Sequence, residues 1–317
     1  MCAIMVKINV VRVYIMKISI NNSDCNKFEF YKKCGFDACD FSLEWRFFNR
    51  TNGKFADIDS VTEDQLREEF TYIAQKAKEA GIEIGQTHAE CSGQIRDYGH
   101  DIEDMLKRAI ASIKATHYLG CKYCVVHPLF VSGRVYDKKC KENFDAAVEF
   151  YKKLIPYLEE YDVYCCVENM WNCDPVYMNI CSTILSHAQE MVDMCNVLGD
   201  RFKICLDVGH ALLTQDDPAE MVRICGDKLV CLHTHDNDGF SDLHAFPFNK
   251  SAAPYATRWK PMRCDWNAFM KALDEVNYRG NLNFEVGVPG PPELSEATHK
   301  YLVAIAQYLI SLRTVQY

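Results

Sequence analysis

Side chains of the kinds that hold cations and move protons recur in this sequence at the ends of short apolar runs. His88 closes Gln86-Thr87-His88-Ala89, His127 closes Val125-Val126-His127-Pro128 and Glu168 closes Cys166-Val167-Glu168-Asn169. Asp207 and His210 follow in Leu206-Asp207-Val208-Gly209-His210, His233 in Leu232-His233-Thr234-His235-Asp236, and Glu285 in Asn283-Phe284-Glu285-Val286. Taken singly, each reads as a solvated or hydrogen-bonded group. Six successive runs ending this way ask for a common cause, because a charge at the end of an apolar strand is costly unless it is paired or metal-bound. Two Glu, one Asp and one imidazole make a shell of hard oxygens with a borderline nitrogen. That set suits Mn²⁺, Mg²⁺, Co²⁺ or Zn²⁺, and no cysteine ligand draws the choice toward zinc.

The elements that must deliver these groups are legible as well. Eight short β-branched or aromatic runs stand at residues 16–20, 38–43, 82–88, 123–128, 164–169, 203–208, 229–235 and 281–286. Most are nearly continuously apolar, as strands buried on both faces are. Longer amphipathic segments at 62–81, 101–120, 136–161, 183–199, 218–226, 265–280 and 292–313 alternate with them and predict helices. Thr62 with Gln65 forms a capping box and Gly81 and Gly120 suit left-handed stops. Repeated βα units of this kind predict an α/β protein, a single-domain (β/α)8 TIM barrel over residues 16–317. No Gly-x-Gly-x-x-Gly follows the first run, so a dinucleotide fold lacks its fingerprint. In a barrel, strand C-termini meet at one rim, and there the six runs would bring their polar ends together.

Composition sets the outer bounds. The 317 residues carry 35 Lys+Arg against 44 Asp+Glu, a net charge of −9, with 49% hydrophobic residues; disorder, collagen-like repeats and coiled coil are excluded as the main architecture. The acidic balance argues against a nucleic-acid partner, since phosphate binding relies on Lys and Arg. No run of 18 apolar residues occurs, so no membrane-spanning helix is expected. The 17 cysteines lie scattered in apolar stretches, which reads as reduced, buried thiols of a cytosolic (cytoplasmic) protein. The CxxC pair Cys121 and Cys124 reads as the start of a core strand. Residues 1–15 read as an extension ahead of the barrel, an upstream-extended start or else an extra edge strand. Nothing in the sequence chooses between a monomer and a homo-oligomer. Two long connections, 46–60 and 240–264, follow the second and seventh runs and are candidates for lid or substrate contacts.

These motifs resemble the xylose-isomerase-like barrel superfamily, which includes sugar phosphate isomerases and epimerases and the AP endonuclease type 2 (endonuclease IV) group. The resemblance runs from Met16 to about Arg313. It rests on Glu168-Asn169, Asp207-Val208-Gly209-His210, His233-Thr234-His235-Asp236-Asn237, Asp242-Leu243-His244, Asp265-Trp266 and Phe284-Glu285-Val286. It implies one divalent metal held by Glu168, Asp207, His233 and Glu285, with His210 touching substrate oxygens and Glu168 and Glu285 as acid and base on opposite faces of a ketose or related polyol. The expected partner is a small sugar or sugar phosphate. A cation chelating a ketose's carbonyl and neighbouring hydroxyl lowers the pKa of the adjacent C–H, and two carboxylates then take and return a proton.

The endonuclease branch uses three zinc ions, and its nine ligand positions are matched by His88, His127, Glu168, Asp207, His210, His233, Asp242, His244 and Glu285. Phosphodiester hydrolysis at abasic DNA sites is therefore the rival reading; a non-catalytic sugar-binding barrel is the third. His88 and His127 are otherwise substrate-contact candidates. The insertion at 246–263 carries Arg258 and Lys260, read as candidates for a substrate phosphate, and Trp171 is read as a wall of the pocket.

Overall fold

The computed structural model describes residues 16–47, 53–89, 102–129, 141–174, 179–237, 239, 241–248 and 263–313. Eight parallel strands make one sheet: β1 (Ile18–Asn22), β2 (Ala38–Ser42), β3 (Glu83–His88), β4 (Tyr123–Val125), β5 (Tyr164–Glu168), β8 (Phe202–Asp207), β9 (Leu229–His233) and β10 (Leu282–Phe284). Their order is β10-β1-β2-β3-β4-β5-β8-β9. A parallel bridge between Thr234 and Phe284 joins the two ends, with Thr234 N donating to Asn283 O at 2.8 Å. The (β/α)8 barrel expected from the alternation of runs is the fold observed.

Strand periodicity sorts the side chains. Outward positions such as Cys165, Val167, Ile204, Leu206, Leu232 and Phe284 belong to the main core beneath the helices. Inside the barrel, Val125, Cys166, Cys205 and Cys231 form a separate small cluster. Residues i and i+2 of a strand share a face, so the next inward positions are His127, Glu168, Asp207 and His233. The apolar thiol layer is thus the floor of the polar rim. Cys205 and Cys231 are neutral packing groups, since burial pushes them up from the ordinary thiol value. Burial also raises Cys121 and Cys124, the latter to about 11, which removes the thiolate that a metal or redox role needs. No disulfide joins the described cysteines.

Several boundaries differ from the sequence reading. The segment 136–161, expected as one helix, is two within its described part, Lys141–Lys152 and Ile155–Glu160. Pro156, which lacks an N–H and clashes with the preceding turn inside a helix, sits in the first turn of the second. The helix expected from residue 183 begins at Ala188. Before it, Thr183 N donates to Ser186 Oγ at 2.6 Å and Leu185 takes a φ of 63°, so the chain turns rather than coils. The expected 265–280 helix ends at Glu275, and 292–313 opens as a 3-10 turn before Ser295–Ser311.

Several elements were not foreseen. Helix Phe28–Cys34, stopped by Gly35 at φ 108°, fills the first connection. The short helix Val208–Leu213 follows β8. Strands β6 (Trp171–Cys173) and β7 (Ile180–Ser182) pair antiparallel as a hairpin after β5. The connection after β2 is anchored to its neighbours: Arg46 Nη1 donates to Ser23 O at 2.9 Å and Arg108 Nη2 to Ala56 O at 2.9 Å. Residues 1–15 and 249–262 lie outside the described residues.

Candidate active site

The C-terminal ends of the strands carry a continuous carboxylate and imidazole network. Glu168 is its hub. Oε2 lies 2.9 Å from His127 Nε2 and 3.3 Å from His88 Nε2, and Oε1 lies 2.7 Å from His233 Nδ1. The same His233 Nδ1 is 3.2 Å from Glu285 Oε2 and 3.8 Å from Asp207 Oδ2. Glu168, Asp207, His233 and Glu285 each bring a donor atom to within 4.8 Å of the others. The four residues singled out in the sequence therefore share one centre, as strand ends facing into a closed barrel must.

His88, His127, His210, Asp242 and His244 are brought to the same rim. His88 and His127 lie on the Glu168 side. On the other side Asp242 Oδ2 sits 3.3 Å from His210 Nε2 and 3.2 Å from His244 Nε2. Local backbone chemistry aims these groups: Asp207 caps the short helix after β8 by accepting from His210 N at 2.6 Å. Asn169 ties β5 to β8 by donating to Asp207 O at 2.8 Å and accepting from Asp207 N at 2.7 Å.

Burial and charge make this a demanding place. Glu168 is 1% exposed and Asp207 and His233 are 0% exposed. Among the described residues no Lys or Arg pairs with Glu168, Asp207, Asp242 or Glu285; their countercharges are imidazoles. Burial opposes ionisation of Glu168, but the charge of His233 and hydrogen bonds from His127, His233 and His88 hold it well below the usual carboxylate range. Asp207 is also lowered, with burial outweighed by His210 and His235. Burial likewise disfavours charged imidazoles, yet Asp207 and Asp242 bring His210 up to about 10, and Asp242 and Glu285 bring His244 up to about 9. Such a cluster of carboxylates and imidazoles, with Asp242 Oδ1 buried and unpartnered, has the donor chemistry of a divalent cation site.

Two site residues were missed in the sequence. Asp40 of β2 is fully buried and its Oδ2 lies 3.0 Å from His233 Nε2. Its signal was a carboxylate inside the apolar run 38–43. His235, two residues beyond His233 and so on the same face, lies 3.1 Å from Asp207 Oδ2 by Nε2 and stacks on His244 with ring centroids 4.3 Å apart. Gly209 makes room for it, since a Cβ there would fall 1.9 Å from His235 Cε1. Gly209→Ala is expected to lower stability by about 1–3 kcal/mol, the cost of overpacking. A thermal melt matching wild type would show that His235 moves freely.

Beside the network opens a cavity of about 310 Å³ lined by Asn21, Ser42, Glu44, Trp45, His88, His244, Glu285, Val286 and Gly287. Its aromatic wall is Trp45, whereas the sequence reading placed Trp171 there. Trp171 belongs to the β6–β7 hairpin and meets His210 edge-on at 6.4 Å; it is not among the residues lining this cavity. Arg258 and Lys260 lie outside the described residues.

Comparison with known proteins agrees with this architecture. D-psicose 3-epimerase, solved in the presence of D-fructose, superposes with a TM-score of 0.66 at 15% identity, over 93% of this chain and 99% of that one. L-ribulose 3-epimerase gives 0.62 at 15% identity over 94% and 95%. The 3-keto-D-glucoside 4-epimerase YcjR from E. coli gives 0.60 at 15% identity over 92% and 100%. At these identities the likeness is one of fold. An uncharacterized protein, y4fM, of Sinorhizobium fredii (strain NBRC 101917 / NGR234) is 37% identical over 82 residues, 26% of this chain and 22% of its own length. The family profile described as "Xylose isomerase-like TIM barrel" matches residues 28–305. With eight parallel strands closed into a barrel and that profile spanning most of its length, the chain belongs to the xylose isomerase-like TIM barrel family.

Proposed function

We propose that this protein is a divalent-metal-dependent isomerase or epimerase acting on a ketose or related polyol. The observation that carries the reading is the convergence of Glu168, Asp207, His233 and Glu285 within 4.8 Å of one another beside a cavity of small-ligand size. These four are the proposed metal ligands. When bound, a divalent cation such as Mn²⁺, Mg²⁺, Co²⁺ or Zn²⁺ would polarise a substrate carbonyl and acidify the neighbouring C–H.

Glu285 is the proposed first base. Its side chain is 20% exposed and lines the cavity, whereas both oxygens of Glu168 are held by imidazoles. Glu168 is assigned the second transfer, returning a proton to the opposite face for epimerisation or to the next carbon for isomerisation. His88 and His244 line the cavity with their ring nitrogens held by Ala89 O, Glu168, Glu285 O and Asp242, while Trp45 offers an apolar face to sugar C–H groups. That the solved structures named above are sugar epimerases supports the same reading. The test is deuterium wash-in from solvent into ketoses and their phosphates with metal-reconstituted protein; a complete lack of exchange across the panel would remove the assignment. Trp45→Ala is expected to raise KM about 2–10-fold with kcat little changed, since ring stacking contributes about 0.5–1.5 kcal/mol.

A second reading is favoured by the grouping of His210 and His244 around Asp242 and of His88 and His127 around Glu168. These extra groups would suit two further cations and phosphodiester hydrolysis, as in the endonuclease branch. Three zinc ions per chain with cleavage of an abasic duplex would select it; one exchangeable cation with C–H exchange selects the isomerase. The net charge of −9 disfavours a polyanionic partner.

A further inference from the structure

We propose that Asp40 is a positioning residue that fixes the ring of His233 so that Nδ1, and not Nε2, is presented to the cation. This rests on the metal reading above. Asp40 Oδ2 is the acceptor of a small, closed network: His233 Nε2 lies at 3.0 Å, Gln86 Nε2 donates at 3.0 Å and Asn283 Nδ2 at 3.3 Å. Ser19 Oγ donates to Asn283 Oδ1 at 2.7 Å, which turns the amide nitrogen of Asn283 toward Asp40. Four strands therefore hold one carboxylate, and every member is buried.

The logic is that of lone pairs. A carboxylate carries no hydrogen to give, so the ring nitrogen facing it must be the protonated one. In the metal-free chain Nδ1 also faces carboxylates and carries a hydrogen; a cation gathered by Glu168, Asp207 and Glu285 would displace that hydrogen, while Nε2 keeps its own against Asp40. Were Nε2 unprotonated, its lone pair would face an anion in a fully buried position, a costly arrangement. His88, stacked on His233 with centroids 5.3 Å apart, restricts ring rotation. Carboxylates behind metal-bound imidazoles set tautomer and basicity, and their loss typically costs about 10–100-fold in metal affinity. Asp40→Asn isolates the charge, because the amide oxygen can keep all three donors while its nitrogen takes the place of Oδ1, which has no partner.

The experiment titrates Co²⁺ into metal-free wild type, Asp40→Asn and Glu168→Gln, following the visible absorption of the bound ion. The expected result is binding in wild type, affinity about 10–100-fold weaker in Asp40→Asn, whose metal-free form still melts cooperatively at a somewhat lower temperature, and loss of the signal in Glu168→Gln. Wild-type affinity in Asp40→Asn would overturn the role of Asp40 alone. No binding by wild type would overturn the metal reading and this inference with it. A second measurement needs no variant at Asp40: nitrogen chemical shifts of the ten histidines in the Zn²⁺-loaded protein, with His233 assigned by its loss in His233→Gln. A His233 ligated through Nδ1 and protonated at Nε2 is expected; ligation through Nε2 would overturn the proposal.

Discussion

Glu285→Gln is expected to suppress solvent deuterium exchange into the substrate by about 10²–10⁴-fold, the contribution of one positioned acid–base group, while the fold stays intact. The side chain hangs at the barrel mouth rather than in the core. Its oxygens meet Asn21 Nδ2 at 3.5 Å and His233 Nδ1 at 3.2 Å, and a glutamine oxygen can retain one of these contacts. What the amide cannot do is accept a proton from carbon at neutral pH. The loss should therefore appear in kcat and kcat/KM together, as for an interaction made at the transition state. Metal stoichiometry checks the other role of the residue: a weakened but measurable Co²⁺ signal separates loss of the base from loss of the ion. Full activity in the variant would remove Glu285 from catalysis.

The second large effect is on stability against pH. In the metal-free chain His210 and His244 are raised to about 10 and about 9, and His233 is raised well above its ordinary value because Glu285, Glu168 and Asp40 outweigh its burial. A group whose pKa is higher folded than unfolded contributes stability that is fully present below the unfolded value, about 6.5 for histidine. That contribution is lost as pH rises through the folded value. Glu168, Asp207 and Asp242 are depressed, with burial outweighed by the imidazoles. Their contribution is present above about pH 4 and is lost as pH falls through the lowered values.

Metal-free protein should thus be most stable between about pH 4.5 and 6.5 and lose on the order of a few kcal/mol by pH 10. A divalent cation replaces those protons, since ligating imidazoles must be neutral. Co²⁺ or Zn²⁺ added at pH 7.5 should release protons into a weakly buffered solution and flatten the alkaline decline of the melting temperature. A metal-free melting temperature that holds steady to pH 10, or metal uptake with no proton release, would contradict the network described here.

Much of the site was legible because strand periodicity is local. Glu168, Asp207, His233 and Glu285 each end a run that can be read without knowing its neighbours, and a barrel sends all strand ends to one rim. Asp40 was not legible, because a single acid inside the run 38–43 gains meaning only when the register of β1, β2, β3, β9 and β10 sets Ser19, Gln86, His233 and Asn283 against it. His235 was passed over for a similar reason. Its partners, Gly209, Asp207 and His244, come from β8, the helix after it and the loop after β9.

The wall of the cavity shows the division most plainly. Trp171 and Trp45 both follow barrel strands, and only Trp171, just beyond Glu168, was read from the sequence as a pocket wall. Pairing of Trp171–Cys173 with Ile180–Ser182 carries the first toward His210, while the anchoring of Arg46 on Ser23 and Glu69 leaves the second lining the cavity. The chain alone determined the barrel, its apolar layers and the polar ends of its strands, for each depends on patterns a few residues long; which four of those ends are the proposed cation ligands came from the family resemblance. Which nitrogen of His233 faces the centre, and which indole faces the cavity, depends on contacts between residues far apart in sequence, and only packing in three dimensions decides them.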